Sequence, residues 1–261
     1  MLLAIDVGNT HIVLGVFERA ELMCSWRLQS LRERTADELG LLVEGLFANG
    51  KINRADIHGI VLGSVVPPLT TTVTTMVQRY FARAPLVVDP ATNTGMPILY
   101  KNPSEVGADR IVSAIAAYEL YGASARTPLV VCDFGTATTL DAVSGNGEYL
   151  GGAICPGVTI SADALFQRAA RLPRIDVRKP ERVIGRTTVG AMESGLFFGY
   201  VGMVEGLVRR MREELGGAAV CVATGGLAVV IAPETTVIDH VNVDLTLQGM
   251  RIVWERNAGT H

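Results

Sequence analysis

The chain has 261 residues, 49 % of them hydrophobic, and a formal net charge of −3 at pH 7, enough length for one large domain or two modest ones with a core each. Lys and Arg are scattered without a basic stripe, which argues against nucleic acid, and apolar stretches break at Gly, Asp or Arg short of membrane-spanning length, which argues against a membrane partner. Asp6 interrupts the apolar start with no positive segment before it, so the sequence predicts no signal peptide and a cytoplasmic protein. Cys24, Cys132, Cys155 and Cys221 lie far apart without a C-x-x-C pair, and read as reduced, buried thiols.

From the N-terminus, Leu2 to Leu14 is an apolar run ending in Asp6, then Gly8, then the hydrogen-bonding Asn9 and Thr10, then more apolar residues. A buried strand ending in an acid, a glycine turn and a second strand make a hairpin whose tip offers backbone N–H groups and hydroxyls to phosphate. Glu21 to Gln29 reads as a third strand, and Thr35-Ala36-Asp37-Glu38 as a capping box opening a helix with Leu39, Leu42, Val43, Leu46 and Phe47 at helical period. A strand over Ile57 to Val66, a helix from Pro67 or Pro68 and a short strand over Pro85 to Val88 follow. The stretch from Asp89 to Val106, punctuated by Pro90, Gly95, Pro97 and Pro103, has the character of a binding loop, and Ala108 to Leu120 is helical by period.

Roughly 127 residues after Asp6, the run Leu129 to Leu140 repeats the acid-glycine-hydroxyl pattern around Asp133, Gly135, Thr136 and Thr138. The Gly145-Asn146-Gly147 turn and a third strand over Tyr149 to Ile154 follow. A helix over Thr188 to Leu215 carries Gly195, Gly199, Gly202 and Gly206 on one face, either an internal packing surface or a subunit interface. Ala218 to Ala223 is a strand entering the Thr224-Gly225-Gly226-Leu227-Ala228 turn, and Val243 to Arg256 a last amphipathic helix. The duplication resembles the ribonuclease-H-like fold shared by actin, sugar kinases and chaperone ATPases: an α/β protein of two domains, 1–124 and 125–261, flanking a nucleotide cleft. Actin and the chaperone ATPases carry large inserted subdomains for which this chain has no room, leaving a small-molecule kinase.

Four segments in order, Asp6-Val7-Gly8-Asn9-Thr10, Gly107-Ala108-Asp109-Arg110, Asp133 to Thr139 and Ala223 to Ala228, closely resemble the type III pantothenate kinases over essentially the whole chain. The resemblance implies ATP-dependent phosphorylation of the pantothenate 4′-hydroxyl, the first step towards coenzyme A, with Mg²⁺, K⁺ or NH₄⁺, and a homodimer that shares its substrate pocket. The ATP segment is then Asp6, Val7, Gly8, Asn9, Thr10, His11, Ile12 and Val13, with Thr136, Thr138, Gly225 and Gly226 from the second half. Asp6 would face Mg²⁺ and its waters, or serve as a turn cap. Only adjacency speaks for His11.

By the same resemblance Asp133 binds the monovalent cation; its local reading is an Asx-turn acceptor. Asp109 is the expected general base, or else a first-turn acid stabilising its helix. Arg110 forks onto the pantothenate carboxylate or forms a surface salt bridge. Tyr100, Gly107 and Ala108 complete the substrate set, and Thr188 reaches pantothenate from the neighbouring subunit; local sequence reads Thr188 as a helix cap, and Thr187 beside it leaves the choice between the two threonines open. Two rivals remain: a kinase or phosphohydrolase of the same superfold with another substrate, and a non-catalytic ATP-binding accessory protein.

Overall fold

The computed structural model describes residues 1–89, 91–169 and 171–258; Pro90, which punctuates the predicted binding loop, and the last three residues of the predicted second domain lie outside them. The chain divides into two compact units, residues 1–116 with the segment from Leu245 onward, and residues 117–244.

In the first unit β1 (Leu2–Val7), β2 (His11–Glu18) and β3 (Glu21–Gln29) form an antiparallel meander. After α1 (Ala36–Asn49), β4 (Gly59–Ser64) lies parallel to β1; after α2 (Pro67–Phe81), β5 (Leu86–Val87) completes the order β3-β2-β1-β4-β5. The capping box forms as read: Glu38 N donates to Thr35 Oγ1 at 3.2 Å and Thr35 N to Glu38 Oε2 at 2.7 Å. Leu39, Val43 and Phe47 of α1 meet Leu69, Val73, Met76 and Val77 of α2 over Leu3, Ile5 and Val7. Leu42, expected on that face, points to solvent.

The opposite face of this sheet is covered by the end of the chain. The helix α7 (Leu245–Asn257) packs on β1, β2 and β4, although the sequence expectation assigns it to the second domain. Missing side chains on the strands make the room: a Cβ on Gly15 would stand 2.8 Å from Leu247, and one on Gly59 would meet the Trp254 ring.

Between these elements α3 (Ala108–Ala117) forms as expected, but its predicted continuation to Leu120 becomes a π-helical turn over Tyr118–Gly122, closed by Ala123 N donating to Tyr118 O at 2.7 Å. The wider turn starts one residue into the second unit.

The second unit repeats the plan. β6 (Leu129–Phe134), β7 (Ala137–Val143) and β8 (Tyr149–Pro156) are antiparallel; α4 (Val158–Arg168) and α5 (Thr188–Glu214) follow; β9 (Val220–Thr224) pairs parallel with β6; α6 (Ala228–Ile231) leads to β10 (His240–Val241). The order β8-β7-β6-β9-β10 matches that of the first sheet, as duplicated ribonuclease-H-like halves require. Val130, Cys132 and Phe134 pack under Phe197, Val201, Val204 and Val208 of α5. The glycine seam of α5 faces away: among the described residues a Cβ on Gly195, Gly199 or Gly202 meets nothing within 4 Å, and one on Gly206 meets only Arg210 Nη1 of the same helix at 3.3 Å, which argues against the internal-packing reading. Among the described residues no helix is long and apolar enough to cross a membrane.

Candidate active site

Asp6 is the penultimate residue of β1, paired with Val13 on β2 and Gly63 on β4. Strand alternation turns it away from the Leu3, Ile5 and Val7 side, and it is half-buried. The tip beyond it is tied down: Gly8 N donates to His11 O at 2.9 Å, Ser30 Oγ to Gly8 O at 2.7 Å and Ser30 N to Thr10 O at 2.9 Å. Asn9, Thr10 and His11 are exposed on this tip, Val13 is half-buried, and Val7 and Ile12 are buried beneath it. Partial desolvation, then the Arg27 guanidinium, lower the His11 pKa. Ser30 carries no motif; only its place after β3 gives it this role.

The second tip is shorter, closed by Gly135 N donating to Ala137 O at 3.1 Å. Thr136 is exposed on it, whereas Thr138 is 1 % exposed and its Oγ1 has no hydrogen-bond partner among the described residues. Asp133 pairs with Thr139 on β7 and Thr224 on β9. Gly225 follows at φ +88°, a left-handed conformation that suits glycine, and a Cβ there would strike Asp133 Oδ1 and the Phe134 backbone. Gly226 beside it is exposed. A carboxylate under bare backbone, flanked by two threonines, is a hard-oxygen environment that fits a monovalent cation. No group of three or more His, Cys, Asp or Glu gathers among the described residues; a Mg²⁺ that takes most of its ligands from phosphates and water needs no such cluster.

Asp109 lies in the first turn of α3, half-buried, with Arg110 N donating to its Oδ1 at 2.8 Å. Gly107 opens the helix, its carbonyl accepting from Arg110 N at 3.1 Å and Ile111 N at 3.2 Å. A Cβ on Gly107 would lie 2.5 Å from Asp109 Oδ1 and 3.3 Å from Val65 Cγ1. Val65 belongs to the β4–α2 turn, which Ser64 ties by accepting from Val66 N at 3.2 Å and Thr70 Oγ1 at 2.7 Å. Ala108 and Arg110 are half-buried beside Asp109, and Tyr100 is half-buried on the preceding loop.

That loop is held from the far end of the chain, which no local motif announces. Arg256 Nη1 donates to Thr94 O and Asn257 Nδ2 to Asn93 O at 2.9 Å, while Asp89 Oδ1 accepts from Ala91 N and Thr92 N at 2.8 and 2.9 Å. In the second unit the cap of α5 is Thr187, whose Oγ1 accepts from Gly190 N at 3.0 Å. Thr188, read locally as the cap, is instead the first helical residue, exposed on the rim of a cavity of about 520 Å³ lined by Leu165, Leu172, Ala191, Met192, Gly195 and Leu196. The cap engages one hydroxyl and leaves the other outward.

The sequence model of the type III pantothenate kinases matches residues 2–210. The chain belongs to this family. A type III pantothenate kinase of Moorella thermoacetica is 55 % identical, covering 99 % of this chain and all of that one; another of Koribacter versatilis is 52 % identical, covering 98 % and 96 %. Among solved structures, a Baf family protein of Campylobacter jejuni has a TM-score of 0.62 at 19 % identity, covering 98 % of this chain and 99 % of that one. The ROK hexokinase of Thermus thermophilus reaches 0.53 at 15 % identity, covering 100 % and 99 %. At these identities the structural likeness establishes the duplicated kinase fold. The four segments singled out in the sequence fall at two strand ends, one helix start and one strand-to-helix turn, the first three within the matched residues.

Proposed function

We propose that this chain transfers the γ-phosphoryl group of ATP to the 4′-hydroxyl of pantothenate, with Asp109 as general base. The observation that carries this reading is the α3 start: Gly107 leaves space for the Asp109 carboxylate, and Arg110 N fixes one of its oxygens. A carboxylate so oriented accepts the hydroxyl proton as the oxygen bonds to phosphorus. Arg110 and Tyr100 hold the substrate, the guanidinium fork suiting its carboxylate. Asn9, Thr10 and the backbone after Gly8 donate to phosphate, Thr136 contacts the nucleotide, and the Gly225-Gly226 backbone lies under the adenosine, while Val7, Ile12 and Thr138, all buried, support the two tips from beneath. Asp6 would hold Mg²⁺ through its waters and Asp133 a monovalent cation, and the positive charge so placed would stabilise the transferring phosphate. Catalysis then rests on positioning and charge neutralisation.

A homodimer completes the proposal. The seam of Gly195, Gly199 and Gly202 is exposed and admits a second backbone closely, and Leu165, which lines the same cavity as Thr188, and Val189 beside Thr188 are exposed apolar residues. An isologous contact through this face brings Thr188 to the partner's substrate. The test is a coupled assay of purified protein with ATP, Mg²⁺, K⁺ and pantothenate. Turnover supports the reading; nucleotide binding without pantothenate turnover would refute it in favour of another substrate or an accessory role.

A further inference from the structure

A buried polar relay stands beside Asp133 that none of the roles above uses. Asp141 on β7 is 2 % exposed, and Tyr149, 0 % exposed, donates its phenol proton to Asp141 Oδ1 at 2.6 Å. Thr139, two residues earlier, donates to Asp141 Oδ2 at 3.3 Å. Residues two apart share a strand face, and the register sets Thr139 opposite Asp133 and Asp141 opposite Val131. All three polar side chains therefore lie on the face of the sheet that carries Asp133, with Thr139 directly across from it, where opposed Cβ atoms are roughly 4.5–5.5 Å apart.

A threonine hydroxyl has one proton and two lone pairs. With the Thr139 proton directed to Asp141, only lone pairs remain for the Asp133 side. Tyr149 likewise has one proton, and by giving it to Oδ1 it leaves Oδ2 to accept from Thr139. An acceptor oxygen beside a carboxylate, with a second carboxylate behind it, is an arrangement that a cation stabilises and another hydrogen-bond acceptor does not.

We infer that Thr139 supplies a neutral oxygen to the monovalent cation at Asp133, and that Asp141 and Tyr149 are positioning residues that keep the Thr139 lone pairs toward it. This rests on the reading of Asp133 as the cation carboxylate. The experiment measures, on the full chain, the rise in Tm on replacing NaCl by KCl at matched ionic strength, and separately the K⁺ concentration for half-maximal activity. Wild type is expected to show a K⁺-specific rise that Asp133→Ala removes. Thr139→Val should lose most of that rise and need about tenfold more K⁺, the scale on which partners of metal ligands act, while Thr139→Ser keeps both values near wild type. In Asp141→Asn the amide carbonyl accepts from Tyr149, so its NH₂ must donate to Thr139 and turn the hydroxyl proton toward the ion; the K⁺ response should fall as in Thr139→Val. Tm in NaCl reports whether each variant is folded, and if Asp141→Asn is not, the Thr139 pair decides. A folded Thr139→Val with the wild-type K⁺ response overturns the inference and leaves Asp133 standing. A wild-type protein indifferent to K⁺ overturns both.

Discussion

Replacing Gly107 by Ala tests the catalytic assignment through one methyl group. The new Cβ would sit 2.5 Å from Asp109 Oδ1, and real Cβ contacts essentially never fall below 3.0 Å, so the carboxylate must retreat by at least about 0.5 Å. Val65 Cγ1, 3.3 Å from the same position, blocks the methyl from moving the other way. Gly107 has no positive φ, so alanine fits the backbone and the helix start survives. The displacement instead weakens the 2.8 Å bond from Arg110 N and misplaces the base. A 1 Å error costs on the order of 10²-fold in rate, so kcat should fall by roughly 10- to 10²-fold with the KM for ATP unchanged. Asp109→Asn should lose about 10²-fold or more, and adding Gly107→Ala to it should cost little further, because both act on one group. The assay is steady-state turnover alongside thermal unfolding. A folded Gly107→Ala enzyme with kcat within about twofold of wild type would refute the argument, since no loss of transition-state stabilisation could then be assigned to the Asp109 position.

Cys132 and Cys221 are buried and should resist a thiol reagent at pH 8 while half-buried Cys24 and Cys155 react. Burial pushes the Cys221 thiol from its ordinary 9.0 up to about 12; a raised native pKa means its contribution to stability is complete below pH 9 and is lost as pH rises toward 12, so Cys221→Ala should flatten the fall of Tm across that window. Arg256→Ala removes the anchor on Thr94 O and should raise the KM for pantothenate several-fold with little change in kcat, because the Tyr100 loop is loosened while Asp109 stays in place; unchanged KM would separate α7 from the substrate. Mixing Asp109→Asn with Thr188→Tyr under verified subunit exchange should restore one working site in up to about half the dimers by random pairing, whereas no recovery, or an active monomer by light scattering, would reject the shared pocket.

The local elements were legible in the chain because their determinants are local. An acid at a strand end, a glycine turn and a second apolar run define each hairpin, and the capping box at Thr35 forms where its four residues stand. The repeat of Asp6 at Asp133 set the fold class, since equal local patterns build equal sheets, and the structure shows the matching strand orders. Helix caps were less legible: Thr187 and Thr188 have the same chemistry, and only the backbone path decides which hydroxyl meets Gly190 N. Four features belong to tertiary structure alone. The last helix covers the first sheet because Gly15 and Gly59, far away in sequence, leave room for Leu247 and Trp254. That packing delivers Arg256 and Asn257 to the loop that carries Tyr100. The outward face of α5 and the Asp141–Tyr149 pair likewise depend on which side of a helix or strand the core occupies, and that is settled by burial of apolar area across the whole unit.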